Sequence, residues 1–192
     1  VPLAFKKIKI FLKKKNYKVF EIKNLKINSI IKTKVKKYNQ LGSDRISNAL
    51  GSLKYKNSII IDFGTATTFD IVKNRVYEGG VISPGINLSI QNLNKSTALL
   101  PILNLKKEQK NYGKNTQEAL NAGFLWGYEG LINNIIKKIS SRTKINYKII
   151  LTGGYANFFK KNIKYKTIID QNVTIKGIAK AFKELIWKIM TN

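Results

Sequence analysis

The chain has 192 residues with no Cys and no His, which excludes a disulfide framework and imidazole catalysis and removes the commonest transition-metal ligand. Its formal net charge is +26, yet hydrophobic residues at 43% exclude a disordered polyelectrolyte. The basic residues are nearly all Lys, spread along the whole chain, and the scarcity of Arg argues against specific nucleic-acid recognition.

No stretch reaches the apolar length needed to cross a bilayer. The first residues, Val1 to Phe5 followed by Lys6 and Lys7, reverse the charge order of a signal peptide. A cytoplasmic protein without a membrane partner is expected, and Val1 in place of Met leads to the expectation that the natural chain begins further upstream. Pro2 to Ile22 reads as a helix followed by a strand at Lys18–Ile22. Asp44 to Tyr55 reads as a helix with Ile46, Ala49, Leu50 and Leu53 on one face. Ser58 to Ile61 is a short apolar run ended by Asp62-Phe63-Gly64, as a buried strand leaving a sheet would be. Thr65 to Val72 and Arg75 to Glu78 then predict two strands around a turn at Lys73-Asn74, with Gly79-Gly80 and Pro84-Gly85 as loop punctuation.

A long amphipathic helix is predicted over Thr116 to Ile139, capped by Asn115 with Glu118 three residues on. Its apolar stripe would be Leu120, Phe124, Tyr128, Leu131, Ile135 and Ile139. Gly123 and Gly127 are costly inside a helix and suggest a close backbone approach by another element. Lys148 to Leu151 is a further strand, ending in Thr152-Gly153-Gly154. The last helix is expected over Ile175 to Met190, with Thr174 as its cap and Ile178, Phe182, Leu185 and Ile189 buried. Strands alternating with helices indicate an α/β architecture.

Four segments carry chemistry. Asp62-Phe63-Gly64-Thr65-Ala66-Thr67-Thr68 places a carboxylate at the end of a strand, beside a tight turn whose amides and hydroxyls can hold phosphate oxygens; a Thr-rich hairpin with a self-satisfied Asp is the structural alternative. Gly42-Ser43-Asp44-Arg45 opens a helix, where Asp44 is either a cap or an ionised general base and Arg45 is suited to a substrate carboxylate. Gly113-Lys114-Asn115-Thr116 leads into the long helix, whose free amides favour an anion or polar ligand. It is not a Walker A loop, because Glu108 stands where the first Gly belongs. Thr152-Gly153-Gly154 after a strand would let backbone approach a flat base.

Together and in this order, these segments resemble the type III pantothenate kinases, whose superfamily also holds sugar kinases and actin. The shared pattern runs through Gly42–Arg45, Ile61–Asp70, Gly79–Gly85, Leu100-Pro101, Gly113–Thr116 and Thr152–Gly154. The resemblance implies an α/β fold of the actin-like/ribonuclease H-like ATPase kind. Residues 41–192 would be the C-terminal kinase domain and residues 1–40 a remnant of the N-terminal domain. It implies ATP-dependent phosphorylation of pantothenate to 4'-phosphopantothenate, the first step of coenzyme A biosynthesis, by a homodimer. Asp44 would be the proton acceptor, and Gly42, Ser43, Asp44, Arg45 and Thr116 would bind pantothenate. Thr65 would contact an ATP phosphate, and Asp62 a monovalent cation, K+ or NH4+, with Mg2+ accompanying ATP.

Two departures stand out. The family's opening Asp-x-Gly-Asn-Thr phosphate loop is absent from these residues, so a fragment is expected. Val35 occupies the place of a pantothenate-contacting Tyr, and Tyr38 is out of register. The rival readings are a catalytically inactive relative acting as a ligand-binding regulatory protein and, remotely, a basic nucleic-acid-binding protein.

Overall fold

The computed structural model describes residues 2–187. A first helix, α1 (Pro2–Lys14), exposes Leu3, Phe5, Ile8 and Phe11 among its lysines. No strand forms at Lys18–Ile22; those residues lead instead into a 3-10 turn over Ile22–Asn24. Further single turns at Ile27–Ser29 and Tyr38–Gln40 carry the chain, through one parallel bridge between Thr33 and Tyr77, to α2 (Ser43–Gly51). The predicted α2 thus stops four residues short of Tyr55.

The centre is a five-stranded sheet in the order β3-β2-β1-β4-β5. It comprises β1 (Ser58–Phe63), β2 (Ala66–Lys73), β3 (Val76–Pro84), β4 (Lys148–Gly153) and β5 (Thr167–Ile169). The first three form an antiparallel meander, while β4 runs parallel to β1 and β5 parallel to β4. The β2–β3 hairpin turns at Asn74-Arg75, both at positive φ (50° and 60°), the backbone that matches the twist of a two-residue hairpin. Gly79-Gly80 is not loop: both lie inside β3, paired with Ile71 and Asp70 beside a register shift between Ile71 and Val72, and Gly79 takes φ 118°. The bulge absorbs the extra residue. The short β5 was not foreseen; its three residues carry too little pattern to read.

Helices cover both faces. On one, α3 (Ile86–Lys95), α4 (Thr116–Thr143) and α5 (Ala156–Phe159) pack with Ile59, Ile61 and Phe63 of β1. On the other, Ile60 and Ile150 meet α2, α6 (Val173–Phe182) and residues of the 22–41 segment. The period of two in a strand accounts for the split, since Ile59 and Ile61 point one way and Ile60 the other. All three are fully buried, each contributing about 1.5–3 kcal/mol of apolar transfer.

Two helices turn other faces inward than the sequence pattern predicts. In α4 the buried residues are Asn121, Ala122, Leu125, Tyr128, Ile132, Ile136 and Ile139, so Tyr128 and Ile139 of the expected stripe are buried, whereas Leu120, Phe124, Leu131 and Ile135 are half-buried at its flank. That helix is apolar around more than half its circumference, so periodicity alone did not select the core face. No backbone approaches Gly123 or Gly127: a Cβ on either would meet nothing within 4 Å. In α6, Ile178 and Phe182 are exposed (44% and 43%), and the buried face is Val173, Gly177 and Ala181. An added Cβ at Gly177 would overlap the Ser47 carbonyl, and one at Gly51 the Val173 carbonyl, so small residues dominate this contact. The cap of α6 is Asn172, with Thr174 inside the helix, and a π-helical turn, Lys183–Trp187, follows. Ile189 and Met190, expected in this helix, lie outside the described residues.

Candidate active site

Helix α2 starts at Gly42, the cap residue (φ −63°, ψ 144°), and Asp44 is exposed in its first turn. Asp44 folds back over Gly42, where any side chain would overlap its Oδ1. Its charge therefore sits by the unpaired amides at the start of α2, where negative charge is favoured. Ser43 contributes its carbonyl to the Ser47 hydroxyl at 2.7 Å, closing the first turn.

Strand periodicity puts Asp62 of β1 and Asp70 of β2 on the sheet face that α2 covers, with Ile60 between them in the pairing. Helical periodicity turns Arg45 and Asn48, three residues apart, toward those carboxylates. Arg45 Nε donates to Asp70 Oδ1 at 2.6 Å, and the Tyr77 hydroxyl donates to the same oxygen at 2.9 Å. Asn48 Nδ2 lies 3.4 Å from Asp70 Oδ2 and 3.3 Å from Asp62 Oδ2. Asp70 is fully buried. Burial pushes its pKa up to about 6 against the opposing pull of the Arg45 charge and the hydrogen bonds from Tyr77, Arg45 and Asn48. Burial also raises the Tyr77 phenol, with the Asp70 charge adding to it.

Asp62 is the next-to-last residue of β1 and is half-buried. Burial raises its pKa; the Asn48 hydrogen bond opposes this, and the nearby Asp44 charge adds to it. Its Oδ1 faces Gly153, which ends the parallel strand β4 at φ +82°; a Cβ there would crowd both Asp62 and the Phe63 backbone. A hard oxygen ligand beside a side-chain-free turn fits a cation in principle. Among the described residues no group of three or more acidic, His or Cys side chains could hold a metal by itself. Thr65 is exposed on the turn after β1, and its carbonyl packs so closely under Gly85, the cap of α3, that no side chain fits at Gly85.

One nitrogen of this constellation is unpaired. Arg45 Nη2 is buried without a hydrogen-bond partner among the described residues. It lies against Gly80, where a side chain would overlap it. A cleft of about 540 Å³ elsewhere is apolar, but the one beside Arg45, of about 470 Å³, is lined by Val35, Lys36, Lys37, Gln40 and Tyr77 as well as Gly80. Buried donors seldom go unpaired, and the flanking lysines suit an anionic group. Val35 thus borders this cleft, whereas Tyr38 faces an interior gap between Ile27 and Ile46.

The structure brings Gly42, Ser43, Asp44, Arg45 and Asp62 together; Thr65 follows two residues beyond the end of β1. It does not bring Thr116 to them. Thr116 starts α4 on the other face of the sheet, exposed, at the edge of the apolar cleft formed with Pro84, Leu100, Gly123, Phe124 and Gly127. Asn115 does cap α4, accepting from the Glu118 amide at 3.0 Å, while Glu118 Oε2 accepts from the Lys114 amide at 2.9 Å, one residue earlier than a standard capping box. Sequence reasoning gave no site role to Asp70, Asn48 or Tyr77, and read Thr174 only as a helix cap. A charge flanked by Phe69 and Ile71 inside an expected strand was the available signal for Asp70.

A 3-2-1-4-5 sheet with one antiparallel meander and helices on both faces has the topology of the actin-like/ribonuclease H-like fold, and polar residues gather where β1 and β4 end. A family model described as type III pantothenate kinase matches residues 1–138. The type III pantothenate kinase of Pelagibacter ubique is 48% identical over 183 residues, covering 94% of this chain and 73% of that protein. That of a Sulfurihydrogenibium species is 40% identical over 142 residues, covering 72% of this chain and 56% of its own length. A crystal structure named for a conserved Baf family transcriptional activator from Campylobacter jejuni superposes with a TM-score of 0.60 at 25% identity, over 80% of this chain and 68% of that one. This chain belongs to the type III pantothenate kinase family, whose members are ATP-dependent kinases of coenzyme A biosynthesis.

Proposed function

We infer that this protein transfers the γ-phosphoryl group of ATP to the hydroxyl of pantothenate, giving 4'-phosphopantothenate and ADP, with Asp44 as general base. The observation that carries the reading is the juxtaposition of an exposed carboxylate at the start of α2 with a buried, unpaired guanidinium nitrogen one residue further on. Arg45 takes the pantothenate carboxylate, an anion matched to its free donor. Gly42 and Ser43 line the same turn. Asp44 accepts the hydroxyl proton as the oxygen attacks the γ-phosphorus and the bond to the bridging oxygen breaks. Such a transfer needs positioning and charge neutralisation more than covalent chemistry, so a chain without His is adequate.

Thr65, on the turn after β1, holds an ATP phosphate oxygen, and Asp62 holds K+ or NH4+. Mg2+ arrives on the ATP phosphates, as expected for an ion that keeps substrate oxygens and water in its shell. Residues 41–192 form the C-terminal kinase domain in this reading, and residues 1–40 the end of the N-terminal domain. The apolar α4 face around Gly123 and Gly127 packs against a second copy in a homodimer. Thr116 lies on that face, so its contact with pantothenate falls beside the subunit boundary. No helix among the described residues is long and apolar enough to cross a membrane, and this reading places the enzyme in the cytoplasm.

The test is pantothenate-dependent ADP release by the full-length gene product with Mg2+ and K+. Asp44→Asn should lower kcat by about 10²–10⁴-fold, the usual share of a positioned base, while pantothenate binding persists. A wild type that binds pantothenate or ATP without turnover would instead identify a ligand-binding relative.

A further inference from the structure

Thr174 was expected to cap the last helix, yet it lies one residue inside α6, and its hydroxyl donates to Asn48 Oδ1 at 2.6 Å. The two residues are 126 positions apart in the chain. What brings them together is the backbone-to-backbone packing of α2 on α6 through Gly51 and Gly177. Asn48 is fully buried, and its single amide nitrogen faces both Asp62 Oδ2 and Asp70 Oδ2. No other side chain among the described residues donates to the Asp62 carboxylate.

This arrangement has only one good orientation. Reversing the amide would turn Oδ1 toward two carboxylates and cost both hydrogen bonds in a dry interior. The Thr174 hydroxyl satisfies Oδ1 at the far end, so the nitrogen is held between the carboxylates. We propose that Asn48, oriented by Thr174, is a positioning residue for phosphoryl transfer, fixing the Asp62 carboxylate relative to the Asp70–Arg45 pair. Neither residue touches substrate. Asn48 acts through two others: Arg45, which stays aimed only while Asp70 holds its Nε, and Asp62, whose side chain has no other side-chain donor among the described residues. The inference rests on the pantothenate kinase reading of Asp62 and Arg45.

The experiment compares wild-type full-length product with Thr174→Val, which keeps shape and removes the hydroxyl, and Thr174→Ser, which keeps the hydroxyl. Steady-state kinetics, calorimetric pantothenate binding and thermal unfolding are measured on each. The expected result is a rise of about tenfold in both KM and Kd for pantothenate in Thr174→Val, with Thr174→Ser within about twofold of wild type. Thr174→Ala gives the same readout should the valine variant not fold. A purely structural hydroxyl would lower the melting temperature and leave KM and Kd of the folded enzyme within twofold of wild type, and that outcome overturns the inference while the kinase reading stands. A wild type that neither binds pantothenate nor releases ADP overturns both together.

Discussion

Gly51 and Gly177 hold α2 against α6 with backbone touching backbone, whereas Gly123 and Gly127 on α4 look out over open space beside an apolar cleft. All four lie in helices, where each glycine costs about 1 kcal/mol relative to alanine. In the first pair the cost is offset within the chain. Close approach brings Thr174 to Asn48 and presses the site helix onto its support. In the second pair nothing within the described residues offsets it. A helical glycine therefore marks a demand for space without saying whether the same chain fills it.

Gly177→Ala is the sharpest way to break the comparison. The added methyl would overlap the Ser47 carbonyl, and neither backbone can yield without moving a whole helix. Full-length product carrying it should lose about 4 kcal/mol in urea unfolding, the range reserved for severe core or backbone clashes. Any folded residue of the population should bind pantothenate poorly, because α2 carries Arg45 and Asn48. A loss no greater than that of an alanine at Gly127 would erase the distinction between the two pairs.

The next effect belongs to the site that α2 covers. Asp70 has a folded pKa of about 6 against an ordinary value of 3.8, so between these values the folded state binds more protons than the unfolded state. Stability must then fall as pH rises through that window and level off above it. The shift corresponds to about 3 kcal/mol across the window. Unfolding of wild type and Asp70→Asn at several pH values from 4 to 7 isolates it, since Glu21 and Asp170, lowered by their lysines, act in both proteins alike. The wild type should lose stability relative to Asp70→Asn on going from pH 4 to 6. A flat difference would mean that Arg45 and Tyr77 compensate the burial of Asp70 fully.

The same contrast explains which features were legible in the sequence. The apolar run Ile59-Ile60-Ile61 announced β1, and the turn chemistry after Asp62 announced the end of the strand, so Asp44, Arg45 and Asp62 could be named as candidates before their proximity was known. Local signals were enough because each candidate sits at an element's end. The network beneath them was hidden, because Asn48, Asp70 and Thr174 meet only through tertiary packing between α2, β2 and α6. The faces of α4 and α6 were misread for a related reason. Ile178 and Phe182 are the larger apolar residues of α6, but contact with α2 required Gly177 and Ala181, and proximity outweighed hydrophobicity. At Lys18–Ile22 the apolar residues Val19, Phe20 and Ile22 among charges imitated a strand, and with no neighbouring strand to pair with, the segment stayed irregular.

The smallest effect decides what the second pair of glycines is for. Gly123→Ala and Gly127→Ala meet no atom within 4 Å in the single chain. Each should therefore raise the stability of a monomer by about 0.5–1 kcal/mol through helix propensity alone. A second copy packed on that face reverses the sign, since a methyl at the point of closest approach separates the two helices and weakens association. Sedimentation across a range of protein concentrations, run alongside unfolding of the same variants, separates the two cases. Weaker dimerisation with a more stable monomer would place the subunit contact at these glycines. Unchanged dimerisation would put the contact elsewhere, leaving the apolar cleft beside Thr116 to be covered by something other than a second copy.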